Sequence, residues 1–236
     1  MSGRLDGRVA VITGASRGIG RAVAQRFAAE GAELVLVARS VEGLEETDDL
    51  VRAAGGVATL VPLDMTDGAG IDRLGAALAE RWGRLDILVG NAAILGELSP
   101  IGHIDPNEWT RVLRVNATAN WWLLRSLDVL LRASPSGRAI FVTSGVTQSA
   151  FAYYGAYAAS KAALESLVRT YAAEITKTNV RANLIDPGVI RTALRAQAYP
   201  GEDPGTLRPP EAVAGAFVDL AEEACPHQGE RISARD

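Results

Sequence analysis

The chain has 236 residues, 48% of them hydrophobic and 22% charged, a balance that suits one globular α/β domain. Its 24 basic and 28 acidic residues are spread without a basic cluster, so we expect neither nucleic acid nor a membrane as a partner. One cysteine and two histidines exclude an internal disulfide and argue against a structural zinc site, so no metal is predicted. The N-terminal residues lack the apolar stretch of a signal peptide, which predicts a cytoplasmic protein.

Short apolar, β-branched runs alternate with longer segments of helical periodicity along the whole chain. Strands are predicted over 8–13, 33–38, 57–63, 85–89, 138–143 and 180–185, with a short last strand near 231–234. Helices are predicted over 21–30, 41–54, 67–82, 106–133, 154–177 and 210–223. Strands this apolar are expected to be buried on both faces, and helical crossovers between them are what a parallel sheet requires. The pattern predicts a single α/β domain over 1–236, with a doubly wound parallel sheet of the Rossmann type and helices on both faces.

Two irregular stretches, 94–105 and 190–209, leave from the carboxyl ends of predicted strands. Ligands bind beyond those strand ends in sheets of this kind, so we expect both stretches to be substrate loops. The second stretch is rich in proline and glycine, which favours a mobile lid.

A turn rich in glycine joins the first predicted strand to the first predicted helix. Gly14, Gly18 and Gly20 allow a tight bend and a close approach of the backbone to a pyrophosphate, which the N-terminus of a helix attracts. The spacing G-x-x-x-G-x-G differs from the standard dinucleotide fingerprint, and glycines also serve as plain turn residues. The position after the first strand of a βαβ unit favours a dinucleotide site. The predicted cofactor contacts in this turn are Gly14, Ser16, Arg17, Gly18, Ile19 and Gly20.

The residue at the end of the second strand should determine which dinucleotide fits. An acidic residue there would accept hydrogen bonds from the 2'-hydroxyl of NAD(H), but this sequence has Arg39. The Arg39 guanidinium can pair with the 2'-phosphate of NADP(H), and Arg17 could approach that phosphate from the glycine turn. Both arginines could instead be ordinary solvated surface residues. Two basic residues beside one predicted site, with no acidic residue there, favour NADP(H) over NAD(H).

Further cofactor contacts are predicted where the third and fourth strands end. Asp64, followed by Met65, could bond the adenine edge, although it could equally serve as a helix cap or turn residue. The run Asn91, Ala92 and Ala93 follows the fourth strand, where small residues let a cofactor lie against the backbone.

Tyr157 and Lys161 are four residues apart in a predicted helix and therefore share one face. A phenol has a pKa near ~10, and a neighbouring ammonium lowers that pKa by favouring the phenolate. The pair could therefore give a proton to an alkoxide that forms as hydride arrives, and Ser144 could hydrogen-bond the same oxygen. Alone, such a pair is more often a packed aromatic beside a surface lysine. Together with the glycine turn and a serine at a strand end, it indicates catalysis.

In these residues the chain resembles the short-chain dehydrogenase/reductase family over essentially its whole length. The resemblance rests on an ordered set of motifs: the glycine turn, Asp64, Asn91-Ala92-Ala93, Asn116, Ser144, Tyr157-x-x-x-Lys161 and Asp186-Pro187-Gly188. The segments 155–161 and 191–196 resemble a bacterial subgroup with no settled substrate. Ala93 departs from the family pattern, which has glycine at that position.

The resemblance implies a role for each catalytic residue. Tyr157 would be the general acid/base, and Lys161 would both modulate its pKa and bind the nicotinamide ribose. Ser144 would orient the substrate carbonyl, and Asn116 would hold a water that continues the proton relay from Lys161. The nicotinamide carboxamide would be lined by Pro187, Gly188, Val189 and Thr192. Helices 106–133 and 154–177 would pair across a two-fold axis, which predicts a homodimer or homotetramer.

The main hypothesis is therefore an NADP(H)-dependent oxidoreductase that acts on a ketone or the corresponding secondary alcohol, both small molecules. A first alternative is a reductase of 3-oxoacyl thioesters on an acyl-carrier protein. Its acidic partner would need a basic surface near the pocket, and the candidates are Arg111, Arg114, Arg191 and Arg195. A second alternative is a nucleotide-binding sensor without turnover, which would have no need of an acid-base tyrosine.

Overall fold

Seven parallel strands form a single sheet in the computed structural model, which describes residues 3–234. The strands are β1 Val9–Thr13, β2 Glu33–Ala38, β3 Val57–Pro62, β4 Ile87–Gly90, β5 Arg138–Val142, β6 Arg181–Asp186 and β7 Arg231–Ser233. They lie in the order β3-β2-β1-β4-β5-β6-β7, and each neighbouring pair is parallel. The chain order changes direction between β1 and β4, the place where such sheets open a ligand crevice. The predicted doubly wound α/β fold is confirmed.

Eight α-helices connect the strands and cover both faces of the sheet in the described part of the chain. They are α1 Gly18–Ala29, α2 Val41–Ala53, α3 Gly68–Trp82, α4 Pro106–Leu113, α5 Ala119–Ala133, α6 Gly155–Glu174, α7 Ala193–Ala198 and α8 Glu211–Ala221. One core packs α1, α2 and α8 against the sheet, through residues such as Phe27, Leu44 and Phe217. The other core packs α3, α5 and α6 against the opposite face, with Ile71 and Leu164 among its members.

The two cores divide the residues of each central strand alternately. Ala10 and Ile12 of β1 belong to the first core, whereas Val9 and Val11 belong to the second. Side chains of a strand point to opposite faces in turn, so a strand between two helical layers must be apolar at every position. This explains the uninterrupted apolar runs of the sequence. Among residues 3–234, no helix is long and apolar enough to cross a membrane.

Like β7 at the other edge of the sheet, strand β3 departs from the predicted burial on both faces. It lies at the edge of the sheet, all six of its residues are at least partly exposed, and the side chain of Val57 is 68% exposed. The expectation of full burial is wrong for this strand because an edge strand has a neighbour on one side only.

The helix predicted over 106–133 is interrupted by a π-helical segment, Arg114–Thr118, between α4 and α5. Asn116 lies in this segment and is fully buried, and its carbonyl accepts a hydrogen bond of 2.8 Å from the Asn120 side chain. Wider turns of this kind are rare and are frequent at functional sites. The segment carries a residue predicted to be catalytic.

The stretch 190–209 is only partly irregular, so that expectation is wrong in part. It contains α7 and a short 3-10 turn, Pro204–Thr206. The Arg195 guanidinium makes two hydrogen bonds of 2.6 Å to the Glu202 carboxylate, which ties α7 to the residues after it. Gln197 donates to the carbonyl of Gly96 at 3.2 Å, so this stretch also contacts the predicted loop 94–105.

Candidate functional site

A cleft of about 1170 Å³ opens at the carboxyl ends of β1, β4, β5 and β6. All the predicted site residues line it except Gly20 and Asn116, which are buried. The lining residues from the predicted set are Gly14, Ser16, Arg17, Gly18, Ile19, Arg39, Asp64, Met65, Asn91, Ala92, Ala93, Ser144, Tyr157, Lys161, Pro187, Gly188, Val189 and Thr192. The fold therefore gathers segments that are far apart in the sequence along one cleft.

In the turn after β1, close packing requires glycine at Gly14 and Gly20, and the left-handed backbone favours it at Gly18. Gly14 has a φ of 65°, and a Cβ there would lie 2.9 Å from the Cα of Ala92. A Cβ on Gly20 would lie 2.3 Å from the carbonyl oxygen of Gly14. Gly18 has a φ of 56° and faces the Thr192 methyl across the cleft, at 3.5 Å from an added Cβ. The turn thus presents bare backbone at the N-terminus of α1, as an anion site needs.

Thr13 joins the ends of β1 and β4, a role that the sequence analysis missed. Its hydroxyl accepts hydrogen bonds from the backbone N–H groups of Asn91 and Ala92, at 3.0 and 3.1 Å, and donates to the carbonyl of Val89 at 3.2 Å. The side-chain amide of Asn91 in turn donates to the backbone carbonyl of Thr13 at 2.9 Å. Asn91 therefore shapes the wall of the cleft through its side chain. A threonine that ends an apolar run was the available signal in the sequence.

Arg39 and Asp64 lie side by side at the β2–β3 end of the cleft. Their charged atoms are 3.9 Å apart, and their side chains are 68% and 46% exposed. An exposed pair of this kind contributes only about 0–1 kcal/mol, so it does not hold the Arg39 guanidinium away from an anion. Asp64 accepts hydrogen bonds of 2.8 Å from the N–H and hydroxyl of Thr66, which is the turn role left open as an alternative. The N-cap of α3 is Asp67, not Asp64.

Tyr157 and Ser144 meet at the β5 side of the cleft. Burial raises the pKa of Tyr157 from 10.0 to about 12, while the nearby Ser144 hydroxyl lowers it in part. The Lys161 ammonium is 5.9 Å from the centre of the Tyr157 ring and donates to the carbonyl of Val142 at 2.8 Å. The expectation of a lowered tyrosine pKa is wrong for this structure, because burial disfavours the phenolate and the charge of Asp186 raises the pKa of Tyr157 further. The phenol is held in its protonated, proton-donating form.

Lys161 is itself buried, and burial lowers its pKa from 10.5 to about 8. The folded protein therefore binds this proton less tightly than the unfolded chain does. Between about pH 8 and 10.5 the unfolded chain carries more of the proton, so this group makes stability rise with pH in that window. Below about pH 8 the buried ammonium is charged, and its full cost to the free energy of unfolding is present.

We expect this penalty to appear in a comparison with Lys161→Met. The free energy of unfolding of the wild type, minus that of Lys161→Met, should increase by up to about 3 kcal/mol between pH 7.5 and 10, at ~1.36 kcal/mol per pKa unit. Urea titrations of both proteins at several pH values measure the difference. The other titrating groups are common to both proteins, so their contributions cancel in the difference between the two free energies of unfolding. A difference that is flat or falls with pH would contradict the buried charge.

Asn116 is engaged by protein groups through its side chain. Its oxygen accepts from the N–H of Ile94 at 2.9 Å, and its nitrogen donates to the carbonyl of Ile94 at 2.8 Å and to the Ser160 hydroxyl at 3.0 Å. Ser160 donates onward to the carbonyl of Tyr157 at 2.7 Å. Asn116 therefore fixes the start of the loop after β4 against the helix that carries Tyr157. Its predicted contact with a relay water stays a prediction.

The loop after β6 lines the cleft through Pro187, Gly188 and Val189. Gly188 has a φ of 74°, and its N–H donates to the Asp186 carboxylate at 3.0 Å. The Thr192 hydroxyl caps α7 by accepting from the N–H of Arg195 at 3.2 Å. These bonds hold the backbone that was predicted to line the nicotinamide carboxamide.

Aromatic rings line the outer end of the cleft. Tyr154 packs edge-on against both Tyr157 and Phe151, with ring centres 6.4 and 5.9 Å apart. A side hollow of about 500 Å³ continues from this point and shares Phe151, Tyr154 and Tyr199 with the cleft. Its lining includes no charged residue. This end of the cleft suits an apolar part of a ligand.

Comparisons with known proteins agree with this geometry. A family model described as short chain dehydrogenase matches residues 8–203. The oxidoreductase YciK of Escherichia coli is 35% identical over 219 residues, which cover 92% of this chain and 86% of that protein. An NAD-dependent oxidoreductase of Mycobacterium tuberculosis is 37% identical over 206 residues, covering 81% of this chain and 74% of that protein.

Solved structures superpose over nearly the whole chain. A short chain dehydrogenase from Pseudomonas syringae gives a TM-score of 0.96 at 36% identity, covering 100% of this chain and 97% of the other. One from Shigella flexneri, complexed with NADP, gives 0.95 at 32% identity with both chains fully covered. One from Escherichia coli, complexed with NADPH, gives 0.93 at 33% identity, again with both chains fully covered. The chain belongs to the short-chain dehydrogenase/reductase family of oxidoreductases.

Proposed function

We propose that the protein is an NADP(H)-dependent oxidoreductase that transfers a hydride between the nicotinamide and a carbonyl or secondary-alcohol carbon. The observation that carries the proposal is that the Ser144 and Tyr157 side chains line one cleft together with Lys161 and the glycine turn. Two hydroxyls that converge there can bind one substrate oxygen, and the cleft also contains a turn suited to a dinucleotide.

The residues present fit a dinucleotide. The bare backbone of Gly14 and Gly18 lies at the N-terminus of α1, where the helix dipole favours a pyrophosphate. Arg39 and Arg17, both exposed, line the same end of the cleft and could pair with a 2'-phosphate. The NADP and NADPH held by two structural relatives support this choice, although one sequence relative is named as NAD-dependent.

The proposed mechanism assigns one task to each polar group. A bound nicotinamide would supply or accept the hydride at the substrate carbon. Ser144 donates a hydrogen bond to the carbonyl oxygen and orients it. As negative charge develops on that oxygen, Tyr157 transfers its phenolic proton to it, and the reverse transfer serves alcohol oxidation. Lys161 would bind the nicotinamide ribose and replenish the proton, with Asn116 holding the next water of the relay.

Two of the four arginines that the acyl-carrier-protein alternative would need are already paired within the chain. Arg111 donates two hydrogen bonds, of 2.7 and 2.6 Å, to Glu108, and Arg195 is paired in the same way with Glu202. A guanidinium whose fork already holds a carboxylate is a poor docking site for an acidic carrier. A small uncharged carbonyl compound fits this rim better, with its apolar part toward Phe151 and Tyr199. The loops 94–105 and 190–209 would select it.

A homodimer or homotetramer remains part of the proposal. Trp121 and Val129 of α5 are exposed, whereas Trp122 packs against α3 at Gly68. Large apolar side chains exposed on one helix support a contact with a second copy.

The test is a turnover assay with NADPH and NADH against a panel of uncharged ketones and aldehydes, and in reverse with alcohols. We expect NADPH consumption to match alcohol formation, with a higher kcat/KM for NADPH than for NADH. Tight NADPH binding without turnover of any compound, in either direction, would overturn the proposal in favour of the nucleotide-binding sensor.

A further inference from the structure

A buried ion network lies beside the proposed catalytic groups and is centred on Arg231 of the last strand. One terminal nitrogen of Arg231, Nη2, donates to the carbonyl of Ser144 at 3.1 Å and to the Asp186 carboxylate at 2.9 Å. Its Nε lies 3.5 Å from the Glu165 carboxylate. The side chains of Arg231, Glu165 and Asp186 are only 17%, 5% and 6% exposed. Ion pairs this deeply buried are much less screened by water than surface pairs are.

The Glu165 carboxylate holds the segment that contains Ser144 from both sides. It accepts hydrogen bonds from the hydroxyls of Thr143 and Thr147, at 2.6 and 2.7 Å. Glu165 also lies one helical turn after Lys161 on α6, and residues four apart in a helix share a face. The network therefore connects the helix that carries Tyr157 and Lys161 to the backbone on each side of Ser144.

The Asp186 carboxylate extends the network to the loop after β6. Its second oxygen accepts from the N–H of Gly188 at 3.0 Å, within the segment predicted to line the nicotinamide carboxamide. Arg231 thus contacts three separate segments: the end of β5, the end of β6 and helix α6. A planar guanidinium with donors on several sides can hold such a set, whereas a lysine offers one compact charge.

We propose that Arg231 is a positioning residue that sets the place of the Ser144 hydroxyl relative to Tyr157 and to the loop at Gly188. This inference rests on the proposed function. It predicts that Arg231 affects the rate of the reaction within the bound complex, although the described contacts place it away from the cleft lining.

The test compares Arg231→Lys and Arg231→Gln with a control, Arg169→Gln, in the NADPH assay. Arg169 pairs with the same Glu165 carboxylate at 3.0 Å but is 50% exposed. We expect kcat to fall roughly tenfold in Arg231→Lys and about a hundredfold in Arg231→Gln, the size of effect that misplaced catalytic groups give. The KM for NADPH should stay within about threefold. Arg169→Gln should keep wild-type kcat.

Thermal unfolding of each variant separates positioning from stability, because kcat is compared well below every Tm. If Arg231→Gln fails to fold, the double variant Arg231→Gln/Glu165→Gln removes one positive and one negative charge and restores the balance. Wild-type kcat in Arg231→Lys would overturn the proposal, as would a loss no larger than that of Arg169→Gln. If the wild type itself turned over no carbonyl compound, the proposed function would fail, and this inference with it. If the wild type turned over a carbonyl compound and the Arg231 variants kept its kcat, only the inference about Arg231 would be overturned.

Discussion

Replacing Tyr157 with phenylalanine is expected to lower kcat for carbonyl reduction about 10²- to 10⁴-fold, the usual contribution of a positioned acid or base. The substitution removes one hydroxyl from a buried ring and leaves the ring in place, so the dissociation constant for NADPH should change by less than about twofold. Single-turnover kinetics and fluorescence titration with NADPH measure the two quantities separately. Carbonyl reduction that stays within tenfold of wild type would refute the role assigned to Tyr157.

A matched control is available in the same helix. Tyr171 is also buried and donates a hydrogen bond of 2.6 Å to the Asp128 carboxylate, but it does not line the cleft. Tyr171→Phe should keep wild-type kcat and lose stability, about 1.5–3 kcal/mol for a hydrogen bond to a charged group. Loss of kcat in both variants would indicate a general effect of removing a buried hydroxyl.

The second large effect is expected at Arg39. Arg39→Asp should lower the ratio of kcat/KM for NADPH over NADH by two orders of magnitude or more. The lost pair with the 2'-phosphate accounts for ~1.5–3 kcal/mol, a factor of roughly ten to a hundred. The new carboxylate also repels the phosphate, with Asp64 adjacent, and can accept a hydrogen bond from the 2'-hydroxyl of NADH. Both changes act in the same direction.

The control for this experiment is Arg52→Asp, which makes the same change of charge in the same β2–α2 unit. Arg52 is exposed and pairs with Asp48 at 2.7 Å, and it does not line the cleft. The Arg52→Asp variant should keep the nucleotide preference of the wild type. Arg17→Ala should weaken the binding of NADPH less than Arg39→Asp does, because the backbone donors of the glycine turn remain. A wild type that prefers NADH, or a ratio unmoved by Arg39→Asp, would contradict the assignment.

The sequence was sufficient to predict the sheet because its central strands have apolar side chains on both faces. Strand β1 was predicted within one residue, and the glycine turn after it was predicted together with its place at the cleft. Helix α7 was missed because six residues are too few to display a helical period. The π-helical segment was missed because its residues continue an apolar pattern that an ordinary helix would also show.

The electrostatics of the site could not be predicted from spacing alone. The interval between Tyr157 and Lys161 gives their shared helical face, but the pKa of each depends on how completely the surrounding layers exclude water. The contact of Arg231 with Ser144 spans 87 residues, and no local pattern reports a contact at that separation. Residues that act through long-range contacts become visible only in the folded chain.

The π-helical segment Arg114–Thr118 restricts how the length of this chain can vary. Removing one residue from it would restore a regular helix but rotate α4 by about 100° relative to α5, since an α-helix advances 3.6 residues per turn. Asn116 could then no longer reach both Ile94, in the loop after β4, and Ser160, in α6. Insertions and deletions should therefore be tolerated at exposed turns such as the one at Gly55, and excluded between α4 and α5. Here the number of residues is constrained as strictly as their identity.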